Sequence, residues 1–579
     1  MNARNILLWL TGLLLSASIA GLASWGYLHA ARSSAKGFAA EVNTEPLDAL
    51  AVHTEGRLNS MESLARYTMK YISGPRQIEG QSPVFTYFDL MIRPDETANA
   101  DIIYIKNKTM RADIRDVLLR ANAADPARLE KFVSTGLIAP SLLERPEVKT
   151  LIDGWSRDLV RTAKFVDDID GAMHLRDPML LTSQLRVVPP PPMDGGADRM
   201  TPWLSVNDLY PKDTTNPELL AKIPGSQQSA VRVAWKDVVT SWAAQDAAAT
   251  NQAIVAFASS LRTINPALYP DVQKLNAESL YFKLGHLTWV WVMYLAAVLF
   301  LLMSVAYKWD GARAIGLGAF AGAFTLHTAA VMVRWYVSGR WPNANMFEAV
   351  TTSVWLGTAL AVAIEFAARK SPMRNLFALG AGAASMAALM SAHYIPQLDA
   401  NIRNMMPVLH DIWLYIHTNV VIASYALIAM AAVTGGMYLV GRFFGAPATY
   451  ARAGGTAAML APARGAPAGQ QAISSSASLM EVLDGATMVL MEVSFVMLWS
   501  GIVMGAIWAD HSWGRPWGWD PKEVFALNTF ILFVVLVHLR LKVKDKGLWT
   551  ALLAVLGCGV MLFNWIVINF VITGLHSYA

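Results

Sequence analysis

Nine runs of about twenty apolar residues dominate this chain of 579 residues. An α-helix rises about 1.5 Å per residue, so about twenty apolar residues cross a hydrocarbon core of about 30 Å. The chain is 54% hydrophobic and only 16% charged, whereas soluble domains carry about 25% charged residues. The sequence therefore predicts an all-α polytopic membrane protein.

The first run, from Ile6 to about Leu28, predicts an N-terminal transmembrane anchor within residues 1–29. Its length favours an uncleaved anchor, although the small residues of "LHAARSS" leave a cleaved signal as the alternative. Residues 286–579 contain the other runs and predict eight transmembrane helices, at about 287–307, 314–336, 346–367, 376–394, 409–440, 484–508, 523–541 and 549–574.

Residues 30–285 have the composition of a water-soluble domain, which we predict to be mainly helical and extracytoplasmic. Residues 30–285 show no spacing typical of metal ligands or of a nucleophile with its base. Scaffolding or partner docking is therefore the expected role of this domain. Between the sixth and seventh runs, residues 442–480 are rich in Ala, Gly and Pro, which predicts a flexible linker.

Positive charges in the loops predict the orientation, because loops rich in Lys and Arg stay in the cytoplasm. Alternate loops carry twelve such residues, and the opposite loops carry five. The richer set is Lys308, Arg313, Arg369, Lys370, Arg374, Arg442, Arg452, Arg464, Arg540, Lys542, Lys544 and Lys546. We therefore expect the large domain, the loop before the eighth run and the C-terminus to lie outside.

The charge and the cysteine content exclude several kinds of function. The formal charge is +4 and the basic residues are spread along the chain, so no nucleic-acid partner is expected. Cys558 is the single cysteine and lies in the last apolar run. Without a second cysteine the chain has no intrachain disulfide, CxxC zinc site or CxxCH haem attachment site. Any haem would therefore be held non-covalently.

The segment "WGRPWGWDPKEVFAL" connects the seventh and eighth runs, and we place this tryptophan loop at residues 508–523. Asp520, followed by Pro521, is typical of a helix N-cap and predicts a helix that begins near Lys522. The segment crowds three indoles and two cations into one membrane boundary, namely Trp513, Trp517, Trp519, Arg515 and Lys522.

Histidines mark the same membrane face. An imidazole inside a membrane is costly without a partner, and imidazole is a common ligand of haem iron. His417 lies near the outer end of its predicted helix, and His576 lies at the outer end of the last one. A flat macrocycle could lie on the indoles with its iron held by both histidines, and its propionates would then meet cations such as Arg515, Lys522 and Arg340.

Two other interpretations stay open at this point. Tryptophans at a membrane interface commonly form an aromatic belt, and a histidine at a helix end is commonly an ordinary hydrogen-bonded residue. Their coincidence on one face favours the haem site over either interpretation.

The WDPKE sequence within "WGRPWGWDPKEVFAL" resembles the WWD motif of haem-handling proteins, in the form found in the CcsA (ResC) family of System II cytochrome c synthases. Four more segments resemble successive CcsA segments, namely "GAFTLHTAAVMVRWYVSGRWPNANMFEAV", "YIHTNVVIASYALIAM", "FILFVVLVHLRLKV" and "INFVITGLHSYA". The resemblance covers residues 314–579, and "EGRLNSMESLARYTMKYISG" resembles long forms of the family with an extracytoplasmic insert.

The resemblance implies roles for three histidines and names two more as alternatives. His417 and His576 match the external pair that ligates haem beside the WWD loop, and Trp513, Trp517, Trp519 and Asp520 match the loop itself. His538 matches a transmembrane ligand of a second, internal haem. The other internal ligand would come from a separate CcsB (ResB)-like protein, or within this chain from His286 or His327, of which His327 has the alternative of a structural role.

The resemblance also implies a cytochrome c synthase (haem lyase) subunit in the bacterial inner membrane, with its WWD loop, large domain and C-terminus periplasmic. Haem b would be its substrate and ligand, and its partners would be a CcsB-like protein, apocytochrome c with reduced CxxCH thiols, thiol-reducing proteins and the lipid bilayer. No side chain need act as nucleophile, because the substrate supplies the thiols. The alternatives are a haem exporter that serves a separate ligase and an assembly scaffold.

Overall fold

The computed structural model describes residues 3–31, 34–54, 56–75, 77–158, 161–192, 201–210, 216–405, 411–451, 478–568 and 572. Nine helices within these residues are long and apolar enough to cross a membrane, and the strands are few and short. The prediction of an all-α polytopic membrane protein is confirmed. The chain forms two compact units, a membrane unit (Met1–Gly26 with Gly285–Ala579) and a 27–284 domain (Tyr27–Leu284).

The first helix, α1 (Ala3–Ala31), begins in the membrane unit. The 27–284 domain contains two antiparallel hairpins, in which β1 (Ala51–Thr54) pairs with β2 (Arg57–Ser60) and β3 (Ile103–Tyr104) pairs with β4 (Leu137–Ile138). Its described helices are α2 (Phe38–Glu41), α3 (Glu45–Asp48), α4 (Met61–Ser73), α5 (Pro83–Ile92), α6 (Pro94–Thr97), α7 (Lys108–Arg120), α8 (Pro126–Thr135), α9 (Pro140–Leu143), α10 (Pro146–Ser156), α11 (Ala163–Leu175), α12 (Pro178–Gln184), α13 (Pro217–Ala221), α14 (Gly225–Ala243), α15 (Ala247–Ile264) and α16 (Val272–Lys283).

An aromatic cluster forms the centre of the 27–284 domain. The ring of Trp242 packs 4.9 Å from that of Phe85 and 5.8 Å from that of Phe88, centroid to centroid. Its buried Nε1–H donates to the Asp89 carboxylate at 3.0 Å, and Arg93 pairs with the same carboxylate at 2.7 Å. The buried indole N–H is therefore hydrogen-bonded, as buried polar groups in protein cores nearly always are.

The described C-terminal part contains eight long helices, α17 (Trp291–Tyr307), α18 (Asp310–Ser338), α19 (Met346–Ala367), α20 (Leu376–Tyr394), α21 (Ile412–Phe443), α22 (Leu479–Trp513), α23 (Pro521–Lys542) and α24 (Lys546–Phe563). The first seven agree with the predicted apolar runs to within five residues at each end. The last run was predicted to reach residue 574, whereas α24 ends at Phe563, and residues 569–571 and 573–574 lie outside the described residues. A 3₁₀ turn at Gly285–Val290 precedes α17, and a π-helical turn at Asn564–Ile568 follows α24. The segment between α22 and α23 is 514–520, shorter than the predicted 508–523, because polar residues continue α22 beyond its apolar run.

Small residues let the membrane helices approach closely. On α1, Ser16 donates its hydroxyl proton to the carbonyl of Ala319 on α18 at 2.9 Å. A Cβ added at Gly12 would meet the α18 backbone, and one added at Gly318 would meet the α1 backbone. In a bilayer, helices associate through such close packing and hydrogen bonds, because lipid offers no hydrophobic drive between them.

A buried ion cluster lies at the end of the membrane unit that carries residues 514–520, which we call the loop end. The Glu348 carboxylate, with no exposed surface, pairs with Arg334 at 2.9 Å and with Arg340 at 2.8 Å. Arg334 also donates to the carbonyls of Ala400 and Asn401 at 2.8 and 3.2 Å. The cluster therefore ties the segment after α20 to the start of α19.

A second buried ion cluster lies at the opposite end. Arg540, near the end of α23, pairs with Asp484 of α22 at 2.8 Å, and Asp484 is buried. Arg540 also donates to Thr550 of α24 and, at 3.1 Å, to the carbonyl of Ala451. This cluster therefore joins α22, α23 and α24. It also contacts Ala451, after which residues 452–477 of the linker lie outside the described residues.

Candidate functional site

Capping interactions hold both sides of the 514–520 loop. Gly514 ends α22 in the left-handed conformation with φ of 68°, and its N–H donates to the carbonyl of Asp510 at 2.9 Å. Asp520 is the N-cap of α23, as the sequence predicted, and its carboxylate accepts from the N–H of Lys522 at 3.2 Å. The Glu523 carboxylate accepts from the N–H groups of Asp520 and Gly518 at 3.1 and 2.9 Å. The Asp-Pro-Lys-Glu sequence is therefore a capping box that fixes the exit of the loop.

The three tryptophans of the predicted platform have different environments. Trp513 packs against the buried ring of Trp508, with centroids 4.8 Å apart, in a cluster beside Leu414 and Met405. Trp517 lines a cavity, whereas Trp519 is 76% exposed. The rings of Trp517 and Trp519 are 6.1 Å apart and perpendicular, at 88°. One flat molecule cannot stack on both in this arrangement.

His417 of α21 faces the same cavity. Its Nδ1 lies 2.8 Å from the carbonyl oxygen of Gly501 on α22, which can only accept, so Nδ1 carries the proton and donates. The lone pair of the neutral ring is then on Nε2. A Cβ added at Gly505 would lie 2.6 Å from His417 Cε1, so the ring fits because position 505 has no side chain. This arrangement is typical of metal-binding histidines, whose other nitrogen commonly donates to a backbone carbonyl.

The cavity has a volume of about 260 Å³, so a larger ligand would be only partly enclosed. Its wall is mainly apolar and comes from α19, α21, α22, α23 and the turn after α24. Its polar groups include Asn343, His417, Tyr425, Lys522, Glu523 and Asn564. An apolar site with a few convergent polar groups is the usual form of a small-molecule site.

The three predicted cations are not equivalent. Lys522 lies in the cavity wall, and Arg515 is exposed in the loop. Arg340 donates to both oxygens of Glu348, at 2.8 and 3.2 Å, and to the carbonyl of Arg403 at 2.9 Å. Of these residues, Lys522 is therefore the cation best placed to meet an anionic ligand in the cavity.

Two of the other candidate iron ligands, His538 and His327, do not line this cavity. His538 is exposed on α23, with Nδ1 2.8 Å from the carbonyl oxygen of Val534 in its own helix. Eighteen residues separate it from Asp520, about 27 Å along a helix. Both nitrogens of buried His327 are engaged, by the Tyr294 hydroxyl at 3.2 Å and the Thr351 carbonyl at 3.1 Å, which favours its structural alternative. His576 lies outside the described residues.

Several residues of the site carry signals that the sequence interpretation did not use. Gly501 and Gly505 stand in the small-xxx-small spacing of close helix packing, within "SGIVMGA". Glu523 stands three residues after the N-cap, as in a capping box. Asn564 donates to the hydroxyl of Tyr425 at 3.0 Å, and nothing in the sequence indicates that pair, because the two residues belong to different helices.

The C-terminal part of the chain matches a known family. A family model described as cytochrome C assembly protein matches residues 343–576. The cytochrome c biogenesis protein CcsA of Synechococcus sp. (strain CC9605) is 31% identical over 261 residues, which are 45% of this chain and 84% of that protein. CcsA of Synechococcus sp. (strain JA-3-3Ab) is 29% identical over 315 residues, covering 48% of this chain and 90% of that protein.

A longer relative matches over a similar part of the chain. Protein NrfI of Wolinella succinogenes is 30% identical over 257 residues, which are 44% of this chain. The match covers 25% of NrfI, so this chain corresponds to a quarter of that protein.

Proposed function

Because the chain belongs to the CcsA family of cytochrome c biogenesis proteins, we propose that it receives haem and presents it at the loop end for thioether attachment to the CxxCH segment of apocytochrome c. In this proposal the protein is the haem-handling subunit of a cytochrome c synthase (haem lyase). Its substrate and ligand is haem b.

The observation that carries the proposal is the state of His417. The Nδ1–H···O=C bond to Gly501 orients the ring and leaves the lone pair on Nε2, at the wall of an apolar cavity. Neutral imidazole with one nitrogen tied to a carbonyl is the form in which histidine coordinates iron. In the proposal, His576 supplies the second external ligand.

The other groups in the cavity suit the remainder of a haem. Trp517 offers an aromatic face to a flat macrocycle, and the Lys522 ammonium offers a counter-charge to a propionate. Asp520 and Glu523 act indirectly, since their capping interactions hold the loop that carries Trp517.

Attachment itself requires positioning rather than a protein nucleophile. Each cysteine S–H adds across one vinyl group, so that a C–S bond forms at one carbon and the proton ends on the other, with no net oxidation. The chain's part is to hold the vinyl edge where reduced thiols can reach it, which lowers the entropic barrier. Thiol-reducing partners keep the cysteines in the required state.

We propose that haem arrives at an inner site near His538, toward the opposite end of α23. The second ligand there would come from a CcsB-like membrane partner. The excess of positive charge in the loops of the opposite end supports a cytoplasmic location for that end. The loop end, the 27–284 domain and the C-terminus would then be periplasmic in a bacterial inner membrane.

Absorption spectra of the purified protein test the proposal. We expect a bis-histidine haem spectrum from the wild type, weakened in His417→Ala and His576→Ala, and a further loss in His538→Ala. His393→Ala is a matched control. This histidine is also at the loop end, but it forms a hydrogen bond with the Thr288 hydroxyl at 2.8 Å and does not line the cavity. A colourless wild type, purified with a CcsB-like partner, would leave the scaffold as the better hypothesis.

Reconstitution separates the synthase from a haem exporter. With haem, reduced apocytochrome and the CcsB-like partner, a synthase forms thioether bonds that survive acid extraction of free haem. If haem crosses vesicles but thioethers form only after a separate ligase is added, the exporter is correct.

A further inference from the structure

Trp519, in the 514–520 loop, has a backbone conformation that bulky residues rarely adopt. Its φ of 56° lies in the left-handed region, where a Cβ crowds the following carbonyl. A bulky residue stays there only when the surrounding structure enforces it. The Glu523 carboxylate does so, because it accepts from the N–H groups of Gly518 and Asp520 on either side, at 2.9 and 3.1 Å. The capping box therefore holds the kink at position 519.

The indole of Trp519 lies outside the cavity. It is 76% exposed and does not line the wall, whereas Trp517, two residues earlier, does. The two ring centroids are 6.1 Å apart, and the ring planes stand at 88° to each other. Backbone strain in native proteins concentrates at functional sites. The loop thus keeps a strained residue whose large apolar side chain stands exposed beside the proposed haem site.

The surroundings of Trp519 indicate what this indole binds. A haem ring stacked on Trp517 cannot also stack on Trp519, because the two indoles are perpendicular. Acyl chains are a poor match for the nearby exposed residues of the chain, which include Asp510, His511 and Arg515. Tryptophan and arginine are, however, among the residues most enriched where proteins bind other proteins. A polypeptide is therefore the ligand that this surface favours.

We propose that the exposed indole of Trp519 binds an apolar side chain of the apocytochrome, close to its CxxCH sequence, and so brings the thiols to the haem edge. This inference rests on the proposed function. The exposed cation of Arg515 in the same loop disfavours a basic side chain as the ligand, and the flat indole offers apolar contact. The two neighbouring tryptophans thus serve different substrates, since Trp517 faces the haem cavity and Trp519 meets the incoming chain.

The test measures the binding of a fluorescently labelled synthetic peptide, with a reduced CxxCH sequence and its flanking residues, to the haem-loaded full-length protein. Trp519→Asn and Trp519→Gly remove the indole, and both new residues tolerate a positive φ. We expect roughly ten- to thirtyfold weaker peptide binding, as for other aromatic anchors of interfaces. Haem affinity should stay that of the wild type, and the unfolding temperature should be unchanged or higher because the strain is relieved. A purely structural role of Trp519 would lower that temperature instead.

Trp335→Leu is the matched control. Trp335 is a 44% exposed indole that is also at the loop end, but it packs on Trp341 at 5.1 Å and does not line the cavity. We expect wild-type peptide affinity from this variant. A second peptide has Ser in place of the apolar residues beside CxxCH. It should bind the wild type more weakly, and Trp519→Asn should then cost little further affinity, because the contact is already lost.

Three results would overturn the inference. One is unchanged peptide affinity in both Trp519 variants. Another is a parallel loss of haem, which would assign Trp519 to the haem site. The third is quenching by brominated lipids, in nanodiscs, of the fluorescence that the wild type has beyond Trp519→Asn, because a lipid-covered indole cannot meet the peptide. A wild type that binds no haem contradicts the proposed function itself, so the two failures are distinguishable.

Discussion

The two ends of the membrane unit both contain a buried arginine–carboxylate cluster, but only at the loop end does the cluster stand beside the described cavity. There Glu348 holds Arg334 and Arg340, and through them the segment after α20 that brings Met405 to the cavity wall. At the opposite end Asp484 and Arg540 join helices, and nearby His538 is exposed on α23.

This difference teaches that buried charge in this protein serves architecture at both ends, whereas the proposed ligand chemistry depends on a side chain that one neighbour orients at the cavity wall. The Nδ1–H of His417 donates to the Gly501 carbonyl at 2.8 Å, and the ring lines the cavity. His327 has both nitrogens engaged and behaves as a core residue.

Removing Glu348 tests the comparison with the largest expected effect. Glu348→Ala leaves two buried guanidinium groups without their carboxylate, which costs about 3–5 kcal/mol in comparable buried pairs. Asp484→Ala frees a single arginine and should cost less than Glu348→Ala. Thermal unfolding in detergent measures both. Only Glu348→Ala should also lose haem from the outer site, because only it holds the cavity's loop.

The control for that prediction is Asp399→Ala. Asp399 pairs with Arg403 at 2.8 Å, but the two side chains are 36% and 55% exposed. Such surface pairs contribute about 0–1 kcal/mol. If Glu348→Ala and Asp399→Ala melted at the same temperature, buried charge would not be what holds the loop end together.

Gly505→Ala sharpens the comparison at the loop end alone. The added Cβ would lie 2.6 Å from His417 Cε1, so the ring or helix α21 must shift. Overpacking of this kind costs about 1–3 kcal/mol, and we expect it mainly as weaker haem binding at the outer site. Haem titration followed by absorbance measures the loss.

Gly436→Ala is the control for Gly505→Ala, since a Cβ at position 436 meets no atom within 4 Å. Alanine is the better helix former by up to about 1 kcal/mol, so this variant should be as stable as the wild type or more so. Equal haem binding by Gly505→Ala and the wild type would contradict the ring position and the haem-binding role that we assign to His417.

Asp520→Ala removes the N-cap of α23 and should lower stability by about 1 kcal/mol. Because the same cap holds the loop with Trp517, we expect outer haem occupancy and synthase activity to fall as well. Asp246→Ala, which removes the N-cap of α15 in the 27–284 domain, should cost similar stability without a change in haem. Unchanged haem occupancy and synthase activity in Asp520→Ala would show that the N-cap of α23 does not contribute to haem binding.

Local signals predicted much of this architecture. The apolar runs predicted every described membrane helix, and Asp520 with Pro521 predicted a cap that the structure contains. Such features depend on residues close in sequence, whose spacing can be read directly. The end of α22 differed because hydropathy follows the apolar core and not the hydrogen-bonded backbone, which continues to Trp513.

Features that depend on the direction of a side chain were not predictable in the same way. Nothing in the sequence separates Trp513, packed on Trp508, from Trp517, which lines the cavity. Arg340 was expected near a propionate, but it pairs with Glu348, a partner that only the packing of the α18–α19 connection selects. Asn343 carried no signal, because its hydrogen bond to the Thr418 hydroxyl joins it to another helix.

The smallest expected effect tests the opposite end. Asp545 pairs with Arg442 at 2.9 Å, with side chains 26% and 24% exposed, and also caps α24. Asp545→Asn keeps an oxygen for the cap and removes the charge, so stability should fall by about 0.2–1 kcal/mol at low salt. Screening should shrink this difference as ionic strength rises. Thermal unfolding at two salt concentrations measures it, and outer haem occupancy should not change. A loss of that haem would mean that the two ends are coupled, and the division between architecture and ligand chemistry would then fail.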